Sequence, residues 1–449
     1  MERKSIKLGY GNETIIVEIP HKNLADVISP DSRKGIVARY GMIDLAVSEA
    51  LEQTVKTSQI NLSHFVNDRS VCCMIEDCTR KEPHRDIMET LALRLESARF
   101  VRFIVATGAH NPKDQGNKDL MDIIKQAAEE HKLEYEVDIN DARGADENFE
   151  CVGVSTNGNK IWVNRAALYD DKSRRFERRV IVADMKPHYF AGYSNALKNG
   201  LPAVCRVDTI ERNHALALDP RSTFGVHPWH YDEARHYNPL ANEILEAFRL
   251  IEQDFRNVYT IAMVCSGNRI VWAKASDIKT ATADGMSVVD DLTEFTVKPA
   301  DYIIVSPGGY PNDREIYTAQ RSLELTKEAV IDGGEILWVA KFIEGIAVQE
   351  AERKNFYDPL VGEGALEKVL AMDKRNYKLY SHKAYKFAEL ISRVEGIHVY
   401  SSLAPNILTD IHMNPTDNPQ KVIDGWLKAK PDARILVFDS ANKLAVYRE

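Results

Sequence analysis

A chain of 449 residues is too long for one ordinary hydrophobic core, so two or three domains are expected. Hydrophobic residues at 44% and charged residues at 28% are ordinary globular values and exclude a disordered chain. With 58 basic against 67 acidic side chains the net charge is −9, which offers no general attraction to nucleic acid or to an acidic membrane surface.

The opening "MERKSIKLGYGNETIIVEIP" alternates as a strand and lacks the apolar run of a signal peptide. No later stretch is apolar enough over the length of a bilayer. Six cysteines stand scattered at 72, 73, 78, 151, 205 and 265, a reduced pattern without metal-ribbon spacing. A cytoplasmic protein is expected.

From Ser70 the chain alternates strands and helices. "SVCCMIED" predicts a buried strand and "RDIMETLALRLESA" a helix with Ile87, Leu91 and Leu95 on one stripe. "FVRFIVATGAH" predicts another strand, "DLMDIIKQAAEEH" a helix, and "RRVIVADM" a further buried strand. Such alternation implies right-handed crossovers and a mainly parallel sheet. A second rhythm begins with the helical "IKTATADGMSVVDDLTEF". It continues through the strand "DYIIVSPGG", the helix "REIYTAQRSLELTKEAVIDGG" ended by glycine, and the strand "EILWVAKF". "SHKAYKFAELISRV", "IHVYSS", "NPQKVIDGWLKAKP" and "ARILVFD" complete it. The expectation is therefore an α/β protein of two α/β domains with mainly parallel sheets, residues 1–280 and 281–449, and an active site in the cleft between them.

Polar chemistry follows three of the predicted strands: "DCTR", "TGAHNP" and "KPHYFAGY". Sites in open α/β sheets form at the carboxyl ends of strands, so these loops can meet. His110 stands where a general base is often placed, with a structural histidine as the alternative. Asp77, Thr79 and Arg80 suit a phosphate or carboxylate, or else an ion pair that ends the strand. "SPGGYPND" lacks both the Lys-Ser/Thr ending of a P-loop and GxGxxG spacing, so simple turns are the expectation there. Thr318 and Arg321, three apart on the next helix, share a face.

The segment "KPHYFAGYSNALKNGLPAVCRVDTIERNH" gathers scarce residue types. Lys198 follows His188 by ten positions and His214 follows Lys198 by sixteen, with glycines and proline between. A partly buried lysine becomes nucleophilic, and a neutral histidine can ligate a metal. A capped helix with a surface lysine and histidine is the alternative on these residues alone.

Taken together in this order, "DCTR", "TGAH", "PHYFAGYS…K…TIERNH" and "SPGGYP" resemble the nickel-dependent lactate racemase family, over roughly residues 70–390. "SHKAY" and "AKFIEGI" resemble it too. The resemblance implies a nickel-pincer nucleotide, a pyridinium-3,5-bisthiocarboxylic acid mononucleotide that holds nickel. Lys198 would hold it covalently and His214 would ligate the nickel. His110 and His188 would be the acid/base pair, one on each face of the substrate. Asp77, Cys78, Thr79 and Arg80 would lie against the nucleotide, and Tyr317, Thr318 and Arg321 against the substrate. The implied partners are a small 2-hydroxy acid and the cofactor-synthesis proteins needed for maturation, with no nucleic acid and no membrane. The implied activity is racemisation or epimerisation at C2 by proton-coupled hydride transfer.

The sequence departs from the lactate enzymes where Tyr317-Thr318-x-x-Arg321 replaces Tyr-Gln-x-x-Lys, and where no tryptophan stands near residues 360–375. An added "HPWHYDEARHY" brings His227, His230 and His236, read as a polar pocket rim with a second metal as the lesser reading. These changes point to a larger or more polar acid, such as a sugar acid or a hydroxy dicarboxylate. The other readings are a non-catalytic cofactor carrier on the same scaffold and a metal hydrolase using His188 and His214.

Overall fold

The computed structural model describes residues 2–80, 82–267 and 269–449. It divides into two compact units, Ile36–Asp291 and a second built from the chain up to Gly35 together with Leu292–Glu449. No helix of the described residues is long and apolar enough to cross a membrane.

In the unit Ile36–Asp291, six strands form one sheet. In spatial order they are Arg269–Asp277, Val258–Ser266, Arg178–Asp184, Ser70–Glu76, Phe100–Ala106 and Tyr135–Ile139. Only the edge pair Val258–Ser266 with Arg269–Asp277 is antiparallel. Strand Ser70–Glu76 is buried at every position, as a central parallel strand covered on both faces must be. Cys72 and Cys73 lie in it and are fully buried, as core residues. Helices His84–Leu95 and Gln115–Glu130 set Ile87, Leu91, Leu95, Leu120 and Ile124 against Val71, Cys73, Val101 and Phe103. Asp114 caps the second helix by accepting the Gly116 amide at 3.0 Å.

The other unit carries a six-stranded, wholly parallel sheet in the order Asn414–Thr416, Gly396–Tyr400, Val330–Val339, Ala300–Val305, Ile435–Phe438, Leu24–Ile28. Trp338 is fully buried on one face, its indole N–H donating to Ser322 at 3.1 Å. This arrangement differs from the contiguous division expected at 280/281. Residues 24–28 pair in parallel with 435–438, and the Asn23 amide bonds the carbonyls of Pro431 and Ala433, each at 2.9 Å. Edge pairing joins segments some four hundred residues apart, which no local pattern announces.

Two other details depart from the expected elements. The helix after the glycine loop spans Ile316–Thr326, and strand Val330–Val339 begins before the glycines. Ala300 pairs with Val330 and Tyr302 with Glu335, so Gly333 and Gly334 sit in a bulge rather than ending the helix. Gly308 and Gly309, at φ +106° and +69°, make the turns expected of "SPGGYP". A Cβ on Gly309 would meet the Gly11 carbonyl at 2.6 Å, so the loop packs directly on the N-terminal hairpin Arg3–Tyr10/Glu13–Pro20.

Candidate active site

The carboxyl ends of the parallel strands in Ile36–Asp291 carry the polar loops. Asp77 follows Ser70–Glu76, His110 follows Phe100–Ala106, and the short hairpin Lys186–His188/Gly192–Ser194 follows Arg178–Asp184. Buried Asp77 accepts from His110 Nδ1 at 2.6 Å, and its other oxygen accepts the Thr79 hydroxyl at 2.5 Å and amide at 3.1 Å. Burial alone would raise the Asp77 carboxyl. The charge and hydrogen bond of His110, then Arg80 and Thr79, outweigh it and hold the group at about 2. With Nδ1–H committed to Asp77, it is Nε2 of His110 that is left to exchange a proton, presenting a lone pair whenever the ring is neutral.

His188 has the complementary arrangement. Its Nδ1 accepts the Ala191 amide at 3.3 Å, which leaves Nε2 to carry the proton of the neutral ring. Tyr189 stacks beside it at 5.4 Å and Phe190 meets it edge-on at 4.5 Å, so the ring is held by aromatic packing.

Lys198 lies on the turn Ala196–Asn199, which Asn195 caps by accepting the Leu197 amide at 3.0 Å. His214 ends the helix Val207–His214, with Phe190 edge-on at 5.4 Å. Burial pushes the His214 imidazole down to about 3, with further lowering from the charges of Lys198 and His110, while a bond to the Ile210 carbonyl acts the other way. His214 is thus a neutral nitrogen donor within electrostatic reach of Lys198 and His110.

Arg80 pairs with Glu76 at 3.9 Å, so the ion pair that ends the strand uses Glu76 and leaves Asp77 to His110. Burial would lower the guanidinium, but the surrounding Glu76, Asp77, Asp184 and Glu82 raise it. Burial, then Glu76, pushes Glu82 well above the carboxylate range. Cys78 is a neutral thiol, pushed up to about 12 by burial and by Asp114 and Asp77, and its amide donates to Asn117 at 3.0 Å.

Tyr317, Thr318 and Arg321 belong to the other unit, on helix Ile316–Thr326. Thr318 donates to buried Glu315 at 2.5 Å, and Glu315 also accepts the Val348 amide at 2.6 Å, tying the helix to the loop after Phe342. Tyr317 packs edge-on against Phe356 and Tyr380. Lys383 lies 4.3 Å over the Tyr317 ring and donates to the Tyr317 carbonyl at 2.5 Å. Burial pushes its ammonium down to about 8. Sequence reasoning singled out neither Lys383 nor Asn195. "SHKAY" held a signal for the first, whereas the second is an ordinary capping asparagine.

His227, His230 and His236 do not gather as a metal site: among the described residues no group of three or more His, Cys, Asp or Glu is arranged to hold an ion. Each is committed instead to hydrogen bonds within its own unit.

Residues 10–225 match the lactate racemase N-terminal domain and residues 295–440 the lactate racemase C-terminal domain. Among similar proteins is the lactate racemase of Thermoanaerobacterium thermosaccharolyticum, 25% identical over 422 residues, covering 92% of this chain and 91% of that protein. The lactate racemase of Lactiplantibacillus plantarum is 24% identical over 425 residues, covering 91% of each. The solved lactate racemase apoprotein from T. thermosaccharolyticum aligns with a TM-score of 0.80 at 21% identity, across 99% of this chain and 100% of that one. A Thermotoga maritima protein aligns at 0.60 with 15% identity, covering 91% of this chain and 100% of its own. Both structural likenesses concern the fold.

Proposed function

The chain belongs to the lactate racemase family, and on that premise we propose that it inverts C2 of a 2-hydroxy acid with His110 and His188 as the acid/base pair. The observation that carries this reading is the Asp77–His110 contact at 2.6 Å together with the opposite hydrogen-bonding polarity of His188. His110 offers a lone pair at Nε2 to a substrate hydroxyl, and Asp77 stabilises the imidazolium that results. His188 offers an Nε2 proton for the return step from the other face. When the product forms, the two roles have exchanged, which suits a reaction run in both directions.

The residues fit the nickel-pincer nucleotide. Lys198 supplies an amine for covalent attachment, and His214 supplies a neutral imidazole, a donor suited to nickel(II). When bound, the group supplies a hydride acceptor and donor, chemistry that protein side chains lack. Asp77, Cys78, Thr79 and Arg80 would line the nucleotide. Attachment and metal loading would depend on cofactor-synthesis proteins, in the cytoplasm.

The substrate is proposed to be larger or more polar than lactate, a sugar acid or hydroxy dicarboxylate, held by Tyr317, Thr318 and Arg321. Arginine presents a planar fork to a carboxylate where lysine presents a point charge, which supports an acid with a second anionic or polar group.

The test is production together with cofactor-synthesis proteins, mass analysis of the Lys198 peptide, nickel determination, and a panel of C2-deuterated 2-hydroxy acids. Epimer formation with the label retained and a primary isotope effect is expected. Loss of the label to solvent, or no adduct and no nickel, overturns the reading.

A further inference from the structure

The added segment "HPWHYDEARHY" has no helical or strand periodicity, yet it is tightly bonded. Four connections tie residues 222–238 to the hairpin and turn that carry His188 and Lys198. The Gly225 amide donates to the Gly192 carbonyl at 3.3 Å. Gly192 itself, at φ +76°, has no room for a side chain, because a Cβ would collide with the Val226 carbonyl. Fully buried Asn238 donates to the carbonyls of Phe190 and Thr223, both at 3.0 Å. His227 Nδ1 accepts the Trp229 amide at 3.1 Å and its Nε2 lies 3.2 Å from the Asn195 side-chain amide, and Asn195 caps the turn holding Lys198.

The fourth connection centres on Asp290. This buried carboxylate accepts the Tyr193 hydroxyl at 2.6 Å, His230 Nε2 at 3.0 Å and the Tyr231 hydroxyl at 3.0 Å, with Arg235 at 3.7 Å. His230 Nδ1 accepts the Asp232 amide at 2.9 Å, so Nε2 carries the proton it donates to Asp290. Tyr193 stacks on His230 at 6.0 Å. A chain of satisfied buried polar contacts of this kind specifies one arrangement, because breaking any member strands a buried partner.

We propose that residues 222–238, closed by Asp290, form a clamp that fixes the spacing of His188 and Lys198, with His227, Asn238 and Asp290 as positioning residues. The roles of His188 and Lys198 rest on the function proposed above; the clamp itself does not. It places the acid/base ring and the anchoring amine on one braced hairpin-and-turn unit. A ring that must face a tethered group within a fraction of an ångström needs such support.

The test is hydrogen–deuterium exchange on the cofactor-free full chain, comparing wild type with Asp290→Asn, His227→Ala and the milder Tyr193→Phe. Amides 188–199 are expected to exchange about tenfold faster or more, from the loss of one bond to a buried charge, with strands Ser70–Glu76 and Phe100–Ala106 unchanged. Unchanged exchange at 188–199 overturns the clamp, as does equal acceleration everywhere in Tyr193→Phe. In cofactor-loaded enzyme, Tyr193→Phe and His227→Ala are expected to lower kcat roughly tenfold or more with KM within about twofold, and His227→Gln, which keeps both a donor and an acceptor, to recover part of it. An unchanged kcat despite faster hairpin exchange overturns the positioning role. If no 2-hydroxy acid is turned over by wild type, the functional reading fails while the exchange result still judges the clamp.

Discussion

His110 Nδ1 lies 2.6 Å from a carboxylate oxygen of Asp77, joining the ends of two neighbouring parallel strands, Phe100–Ala106 and Ser70–Glu76. The contact decides which nitrogen of the neutral His110 ring carries the proton, and it makes Asp77 the first residue to test. Asp77→Asn keeps the size but favours the other tautomer, and kcat is expected to fall roughly 10²-fold or more with the Lys198 adduct intact. The same variant reports on acid stability. A carboxylate held at about 2, below its ordinary 3.8, adds stability that is complete above the ordinary value and lost as pH falls through the folded one. Urea unfolding between pH 5 and 2 is expected to show a shallower acid loss in Asp77→Asn than in wild type.

Replacing His110 or His188 by alanine is expected to lower racemisation by about 10²–10⁴-fold while nickel content is retained. A carrier protein would lose nothing measurable by the same changes. Chiral chromatography of each enantiomer as starting material checks it.

Under the proposed roles, substitutions at Lys198 and His214 separate attachment from metal binding. Lys198→Ala is expected to show no added mass and no nickel after co-production, whereas His214→Ala keeps the added mass and loses most of the nickel. Intact-mass spectrometry with elemental analysis of the same sample distinguishes them. A His214→Ala protein with full nickel would remove it as the ligand.

Arg321→Lys tests the substrate anion. If a bidentate contact holds a carboxylate, KM for the preferred acid is expected to rise by about tenfold with a smaller change in kcat. Initial rates across the acid panel measure this, and equal KM values in both proteins would detach Arg321 from the pocket.

Lys383 has a stability signature of its own. Burial lowers its folded pKa to about 8 against an ordinary 10.5, so the folded chain releases the proton first. Between these values the unfolded chain binds more protons, and stability contributed by this group rises with pH, by at most about 3 kcal/mol. Lys383→Met is expected to flatten that rise in urea titrations run from pH 7.5 to 10.5.

Much of this molecule was readable along the chain. The alternation of "SVCCMIED", "FVRFIVATGAH" and "RRVIVADM" with helical stripes foretold the sheet around Asp77 and His110, because buried parallel strands are continuous apolar runs and their helices are amphipathic. Glycine and proline around Lys198 foretold a broken segment, and a hairpin, a short turn and a helix are found there. Helix Ile316–Thr326 ends before the expected glycines; a bulge glycine and a helix-ending glycine look alike in one dimension.

What periodicity and turn chemistry settle is local: which stretches form strands or helices, and which loops carry reactive groups. The membership of residues 24–28 in the sheet of 435–438, the pairing of Arg80 with Glu76 and of Asp77 with His110, and the burial of Lys383 over Tyr317 needed the folded chain. Each depends on which distant segments become neighbours. That outcome is set by the summed burial and hydrogen bonding of a whole unit, with no trace in the residues immediately adjoining it.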